Sequence, residues 1–120
     1  MEEELFMKLM EIVGSKLCVA SDDGERVHGQ IAAALKEGKK VKVSFESVES
    51  LTSAFLNSAI GQLYGEFPEE KIKSGLSVCD IETDDLDLLK RVVDTAKEYF
   101  KDPARVKGAR KEILGDPDGR

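Results

Sequence analysis

The sequence predicts an α/β fold, with a single domain over residues 1–115 and a flexible tail at 116–120. Its sheet of about four strands, mixed or mostly parallel, is flanked by about four helices. Two observations lead to this prediction. Strand-like and helix-like hydrophobic patterns alternate along the chain, which is the order of an open sheet whose helices link parallel strands. A chain of 120 residues with 41% hydrophobic and 35% charged side chains also suits one globular domain.

The first twenty residues leave the type of element open. Residues 5–13, LFMKLMEIV, place apolar side chains at spacings that fit either a helix or a strand. The next segment, GSKLCVAS, joins a Gly-Ser turn signal to a short apolar run. It therefore predicts a hairpin or a bent edge strand.

The segment SDDGERVHGQIAAALKEGKK is clearer, because its apolar residues recur every four positions. It predicts an amphipathic helix of about 22–37, capped by Ser21 or Asp22 and followed by Gly38 as the residue that ends it. The segment KKVKVSFESV then alternates β-branched and aromatic residues with polar ones, which predicts a strand.

The second half of the chain repeats this alternation. Residues 52–64 predict an apolar helix that ends at Gly65, and PEEKIKS predicts a single helical turn. The segment GLSVCDIE predicts a strand, and a long amphipathic helix capped by Thr83 or Asp84 follows it. A short terminal helix starting at Asp102 completes the expected elements.

Composition weighs against several classes of function. The formal net charge of −6 makes nucleic-acid binding an unexpected role, because that binding depends on Lys and Arg side chains. The acidic start, MEEELFMKLM, is unlike a secretory signal, and no apolar run reaches the ~20 residues of a membrane span, so a cytoplasmic protein is expected. Cys18 and Cys79 lack metal-ligand spacing, and both are expected to be small buried residues in a reducing compartment.

The residue types that support catalysis are not arranged for it. The single histidine, His28, lies in a helix with no neighbour to orient it as a general base, and it is expected to be an ordinary surface or boundary residue. The phosphate-binding patterns GxxxxGK(S/T) and GxGxxG do not occur. Three acidic pairs are expected to cap or solvate helices rather than bind a cation: Asp22–Asp23, Glu69–Glu70 and Asp84–Asp85. The sequence therefore predicts a non-enzymatic protein with no metal and no cofactor.

The stretch LTSAFLNSAIGQLYG, residues 51–65, places small hydroxylated residues at the start of a predicted helix. Two interpretations stay open. A Thr or Ser oxygen there can satisfy backbone N–H groups that have no partner within the helix. Alternatively, a hydroxyl group at this position can carry a phosphate.

The stretch VKVSFESVESLTSAFLNSAIGQLYGEF resembles the central segment of STAS domains, the fold of anti-sigma factor antagonists, and is more similar still to an uncharacterised STAS-like family. The resemblance covers roughly residues 5–100. Those antagonists carry Asp-Ser-Ser-Gly-Leu after a buried strand. This chain has Thr52 in place of the Asp, Ser53 in place of the phosphorylated Ser, Ala54 in place of the second Ser, Phe55 in place of the Gly, and Leu56 in place of the Leu.

The resemblance implies a bacterial regulatory module that binds another protein and switches partner when Ser53 is phosphorylated. It implies a partner surface made of Thr52, Ser53, Ala54, Phe55 and Asn57, although the spacing of Phe55 from the next apolar residues also suits a core position. The implied partner is a GHKL-type ATPase that acts as an anti-sigma-like kinase. The alternative is a module that binds a small ligand or nucleotide at the same loop, for which no basic residue stands near in the sequence.

Overall fold

The computed structural model describes residues 4–101. Strands and helices alternate, as the sequence predicts, and the structure confirms the α/β class. The elements in chain order are β1 (Glu4–Lys8), α1 (Leu9–Val13), β2 (Leu17–Cys18), α2 (Ser21–Lys36), β3 (Lys40–Ser44), β4 (Ser50–Leu51), α3 (Ser53–Ala59), a 3-10 helix (Gly61–Gly65), α4 (Glu69–Gly75), β5 (Leu76–Cys79) and α5 (Thr83–Lys101).

The main sheet has three parallel strands in the order β1–β3–β5. Its central strand aligns Val41 with Leu5 on one side and with Leu76 on the other. Val41 and Val43 are fully buried, because β3 is paired along both edges and its β-branched side chains face the helices. A second, two-stranded parallel sheet joins β2 to β4.

The N-terminal segment contains both of the elements between which its pattern could not choose. The strand β1 runs to Lys8 and the helix α1 begins at the next residue. The helix ends at Gly14, whose φ of 80° lies in the left-handed region that glycine adopts without strain. The hairpin expected at GSKLCVAS is wrong, because β2 pairs with a strand more than thirty residues away rather than with a neighbour.

The predicted helix of about 22–37 is α2, and the predicted role of Gly38 after its last turn is confirmed. Its predicted cap is wrong. Residue Ala20 occupies the N-cap position without a side-chain hydrogen bond, so Ser21 and Asp22 lie inside the first turn. The Asp22 carboxylate lies in the first turn, where the helix dipole favours negative charge. Neither Ser21 nor Asp22 makes the capping hydrogen bond.

The predicted helix of 52–64 is divided into two parts. The helix α3 ends at Ala59, and a tighter 3-10 helix continues to Gly65. The single turn expected at PEEKIKS is the seven-residue helix α4. The predicted terminal helix from Asp102 and the tail at 116–120 lie outside the described residues.

The elements enclose one hydrophobic core between the main sheet and the helices. Helix α3 lies very close to α2 at Gly24, where an added Cβ would stand 2.6 Å from the carbonyl oxygen of Phe55 and 2.8 Å from the Cβ of Ser58. This contact fixes the position of α3 on the domain. Among residues 4–101, no helix combines the length and the apolar character needed to cross a membrane.

Candidate functional site

The start of α3 is closed by Thr52, which is the N-cap residue with extended backbone angles. Its Oγ1 accepts a hydrogen bond from the backbone N–H of Phe55 at 3.2 Å. The same hydroxyl donates to the carbonyl oxygen of Val19 at 2.8 Å, and the Thr52 N–H donates to the carbonyl oxygen of Cys18 at 3.3 Å. Thr52 therefore caps α3 and attaches it to the segment that follows β2.

Ser53 is the first residue of α3, and its side chain is exposed. Within the described part of the chain, its hydroxyl has no hydrogen-bond partner. The two interpretations of the hydroxyl cluster thus fall on different residues. Thr52 is the capping residue. The interpretation of Ser53 as only a cap is wrong, because its hydroxyl oxygen accepts no hydrogen bond from a backbone N–H group of α3.

An open groove of about 570 Å³ runs between α3 and α5 beside this position. Helix α3 lines the groove with three of the residues that the sequence assigned to a partner surface, and helix α5 lines the opposite side. The lining residues are Ser53, Ala54 and Asn57 from α3, and Leu88, Arg91, Val92 and Thr95 from α5.

Phe55 is not part of this surface. Its side chain is fully buried in the core with Leu56 and Ala59, so its predicted role in partner binding is corrected to a core role. The physical reason is the helical spacing: positions 55, 56 and 59 face the interior, while 53, 54 and 57 face outwards. Thr52 is half-buried, and its hydroxyl is engaged by the cap.

Arg91 is the functional candidate that sequence reasoning missed. It is exposed on α5 and lines the groove with Ser53, although 38 positions separate the two residues in the chain. The sequence places no basic residue near the start of α3, but the fold brings Arg91 to the groove from another helix. The apolar stripe of α5 predicts that this helix packs on the domain, but it does not indicate which helix it meets.

The Asn57 side chain lies over Gly61 of the following 3-10 helix. A Cβ added at Gly61 would stand 2.6 Å from the Asn57 Oδ1 atom. The lack of a side chain at position 61 therefore makes room for the Asn57 amide at the rim of the groove. The amide and the Thr95 hydroxyl add polar groups to a lining whose other members are mainly apolar.

A separate polar cluster lies at the carboxyl ends of β3 and β5. The fully buried Ser44 hydroxyl donates to Asp80 Oδ2 at 2.7 Å, and the Cys79 thiol donates to the same oxygen at 3.4 Å. The Ser44 bond, followed by the Cys79 bond, lowers the pKa of Asp80 below its ordinary value. Asp80 adopts a φ of 57°, in the left-handed region, which this cluster helps to hold.

The remaining candidates behave as ordinary structural residues. His28 Nε2 lies 3.1 Å from the Glu66 carboxylate oxygens. Cys18 is buried, and burial raises the pKa of its thiol to about 11, while Cys79 is only partly buried. The three acidic pairs all lie in the first turns of helices, and residues 4–101 hold no cluster of metal-ligating side chains.

A comparison with models of protein families identifies a family to which this chain is similar. The model of a STAS-like domain of unknown function covers residues 23–86, more than half of the chain. The matched residues include the whole of α3 and end before Arg91. Comparisons with curated proteins and with solved structures give no significant match. The parallel sheet, the capped helix α3 and this match together assign the chain to the family of STAS-like domains of unknown function.

Proposed function

We propose that this protein is a non-enzymatic regulatory module that binds another protein through the groove between α3 and α5 and releases it when Ser53 is phosphorylated. The proposed partner is a GHKL-type ATPase that acts as an anti-sigma-like kinase, as the STAS resemblance implies. The observation that carries the proposal is the Ser53 hydroxyl, which is exposed at the rim of the groove and free of any capping role.

The groove has the character of a surface for a protein partner. Its α3 side offers small side chains at Ser53 and Ala54, and its α5 side offers Leu88 and Val92. Small residues let a partner approach the helix backbone closely, and burial of the apolar side chains against the partner stabilises the complex. Because α3 is fixed against α2 at Gly24, the surface is formed before a partner arrives.

A phosphate on Ser53 would change this surface strongly. It adds about −1.5 to −2 charges and three acceptor oxygens at a rim that carries no acidic residue in α3. A partner that covers the groove would have to desolvate that charge, which is costly unless the partner supplies a cation. The unmodified protein therefore binds its partner, and the phosphorylated protein releases it.

The proposal is tested by affinity capture from lysate of the native host with four forms of the protein. These are the wild type, Ser53→Ala, Ser53→Asp, and Ser74→Asp as a matched control. Ser74 is an exposed serine on α4 that does not line the groove. We expect the wild type, Ser53→Ala and Ser74→Asp to retain a GHKL-type ATPase, and Ser53→Asp to lose it. Retention by Ser53→Asp at the wild-type level contradicts the proposal.

Kinase activity of the captured partner gives a second measurement. We expect the ATPase to transfer phosphate from ATP to the wild-type protein and not to Ser53→Ala. Thr52 provides an internal control, because its hydroxyl is engaged in two hydrogen bonds and is a poor acceptor. Phosphate found on Thr52 with none on Ser53 would contradict the assignment of the switch residue.

Arg91 favours one alternative function, the binding of a small anionic ligand such as a nucleotide. The groove volume of about 570 Å³ lies within the range of small-molecule sites, and Arg91 is a phosphate-binding residue type within its lining. Thermal unfolding in the presence of nucleotides tests this alternative. A rise in Tm that is lost in Arg91→Gln and kept in Lys90→Gln would favour ligand binding over partner switching.

A further inference from the structure

Arg91 is the charged residue among those that line the groove between α3 and α5. Within residues 4–101, its guanidinium group makes no hydrogen bond and no ion pair. Asp87 and Asp94 lie about one turn away on the same helix, where ion pairs with Arg91 are common, yet neither is within ion-pair distance. Among the described residues, the cation at the groove is therefore without a partner.

We infer that Arg91 binds the phosphate of modified Ser53 across the groove, so that the modified protein closes its own binding surface. This inference rests on the proposed function, because it takes Ser53 as the residue that is modified. It names the group that binds the phosphate of Ser53 and gives a different physical cause for the release of the partner. Release then follows from a bridge within the chain that occupies the groove, and not from charge alone.

Three features of the site support this bridge. Ser53 and Arg91 line one groove from two different helices, so the phosphate and the guanidinium group would share the same open space. The planar guanidinium group matches phosphate oxygens with two parallel hydrogen bonds, which makes Arg the common partner of phosphoserine. Helix α3 carries no charged residue that would compete for either group.

Helix α5 holds the backbone of Arg91 firmly, while its side chain makes no polar contact with any residue from 4 to 101. The nearby residues Leu89 and Val92 are buried, and α5 is a helix of 19 residues packed on the core. A bridge from this position to Ser53 would lie across Ala54 and Val92, the small and apolar part of the groove. The same surface that the unmodified protein offers to a partner is then covered by its own side chain.

The test uses the full chain with phosphoserine incorporated at position 53 during translation. Phosphorus NMR follows the second ionisation of the phosphate, which occurs near pH ~6 in free phosphoserine. A cation in contact with the phosphate favours the dianion, so Arg91 should raise its acid dissociation constant about threefold relative to the Arg91→Gln variant. Lys90→Gln is the matched control, since Lys90 is exposed on the same helix and does not line the groove.

We expect the phosphate of the wild type and of Lys90→Gln to titrate together, and that of Arg91→Gln to titrate at higher pH. Equal titration in all three forms overturns the inference. Arg91→Lys gives a second criterion, because a lysine keeps the charge but not the paired hydrogen bonds. If the bridge forms, the phosphate of Arg91→Lys should titrate at a pH between those of the wild type and of Arg91→Gln. Titration of Arg91→Lys at the same pH as the wild type would show that only the charge of Arg91 matters, and would overturn the bridge.

Failure of this inference differs from failure of the proposed function. If phosphoserine at position 53 releases the captured partner equally from the wild type and from Arg91→Gln, the switch stands and the bridge is wrong. If the titration depends on Arg91 while the partner remains bound to the phosphorylated protein, the bridge stands and the switch is wrong. The two measurements thus separate the two claims.

Discussion

The position of α3, and with it the groove, depends on the absence of a side chain at Gly24. A Cβ added there would stand 2.6 Å from the Phe55 carbonyl oxygen, 2.8 Å from the Ser58 Cβ and 3.2 Å from the Ala59 N atom. Two of these three atoms belong to the backbone of α3 and cannot move without moving the helix. The substitution Gly24→Ala therefore forces α2 and α3 apart.

The magnitude follows from two opposing terms. Alanine in place of glycine in a helix interior stabilises by about 1 kcal/mol. Overpacking of a well-packed contact costs about 1–3 kcal/mol, and we take about 3 because backbone atoms stand in the way. We expect Gly24→Ala to lose about 2 kcal/mol of unfolding free energy, which lowers Tm by roughly 10 °C in a domain of this size.

Gly29→Ala is the matched control, because Gly29 lies in the same helix with nothing within 4 Å of its added Cβ. We expect this variant to gain up to about 1 kcal/mol from helix propensity alone. The assay is urea unfolding of both variants and the wild type, followed by far-ultraviolet circular dichroism. The reasoning is refuted if Gly24→Ala is as stable as Gly29→Ala, since the close contact of the two helices would then have no cost.

Further predictions concern the cap, the Ser44 cluster and the buried thiol. Thr52→Ala should lower the unfolding free energy by about 1–2 kcal/mol, while Thr52→Ser should keep most of it; chemical denaturation measures both, and equal loss in the two variants would contradict the capping role. The pKa of Asp80 is lowered in the folded protein, so its contribution to stability is present above the ordinary value of 3.8 and is lost as pH falls. Ser44→Ala should therefore destabilise the protein more at pH 7 than at pH 3, and a pH-independent loss of Tm would argue against this linkage. Because burial raises the pKa of Cys18 to about 11, its thiol should react with iodoacetamide at pH 8 at least tenfold more slowly in the folded than in the urea-unfolded protein; mass spectrometry measures the two rates, and equal rates would contradict its burial.

Local signals in the sequence predict the elements in which a hydrophobic period extends over many residues and turn residues mark the ends. Helix α2 begins and ends within about one residue of its predicted bounds, because four-residue spacing and Gly38 define it locally. The segment at Leu17–Cys18 is different. Its pairing partner is β4, which no pattern within a short window indicates, so the sequence predicts only a hairpin or a bent edge strand there.

The candidate site divides in the same manner. The hydroxyl cluster at the start of α3 is visible in the sequence because capping uses particular residue types at particular positions. A shift of one residue in the start of the helix changes which hydroxyl group is the cap. In the structure Thr52 is the cap and Ser53 is exposed. The contribution of Arg91 was not predictable, since it depends on how α5 crosses α3 in the folded chain.

The order of strands in the main sheet also has a consequence for how fast this chain folds. The strand β3 lies between two partners, and its Val41 aligns with residues 5 and 76, which are 36 and 35 positions away. Neither pairing can form by closing a short turn, so each edge strand must be brought to β3 over a long loop at a cost in chain entropy. Refolding should accordingly take milliseconds to seconds, slower than in helical proteins of similar length. Helix–coil exchange takes microseconds or less, so strand pairing and not helix formation limits the rate. The seven-residue helix α3 is too short to be stable alone, and we expect the groove to form only when α3 and α5 pack on the completed sheet.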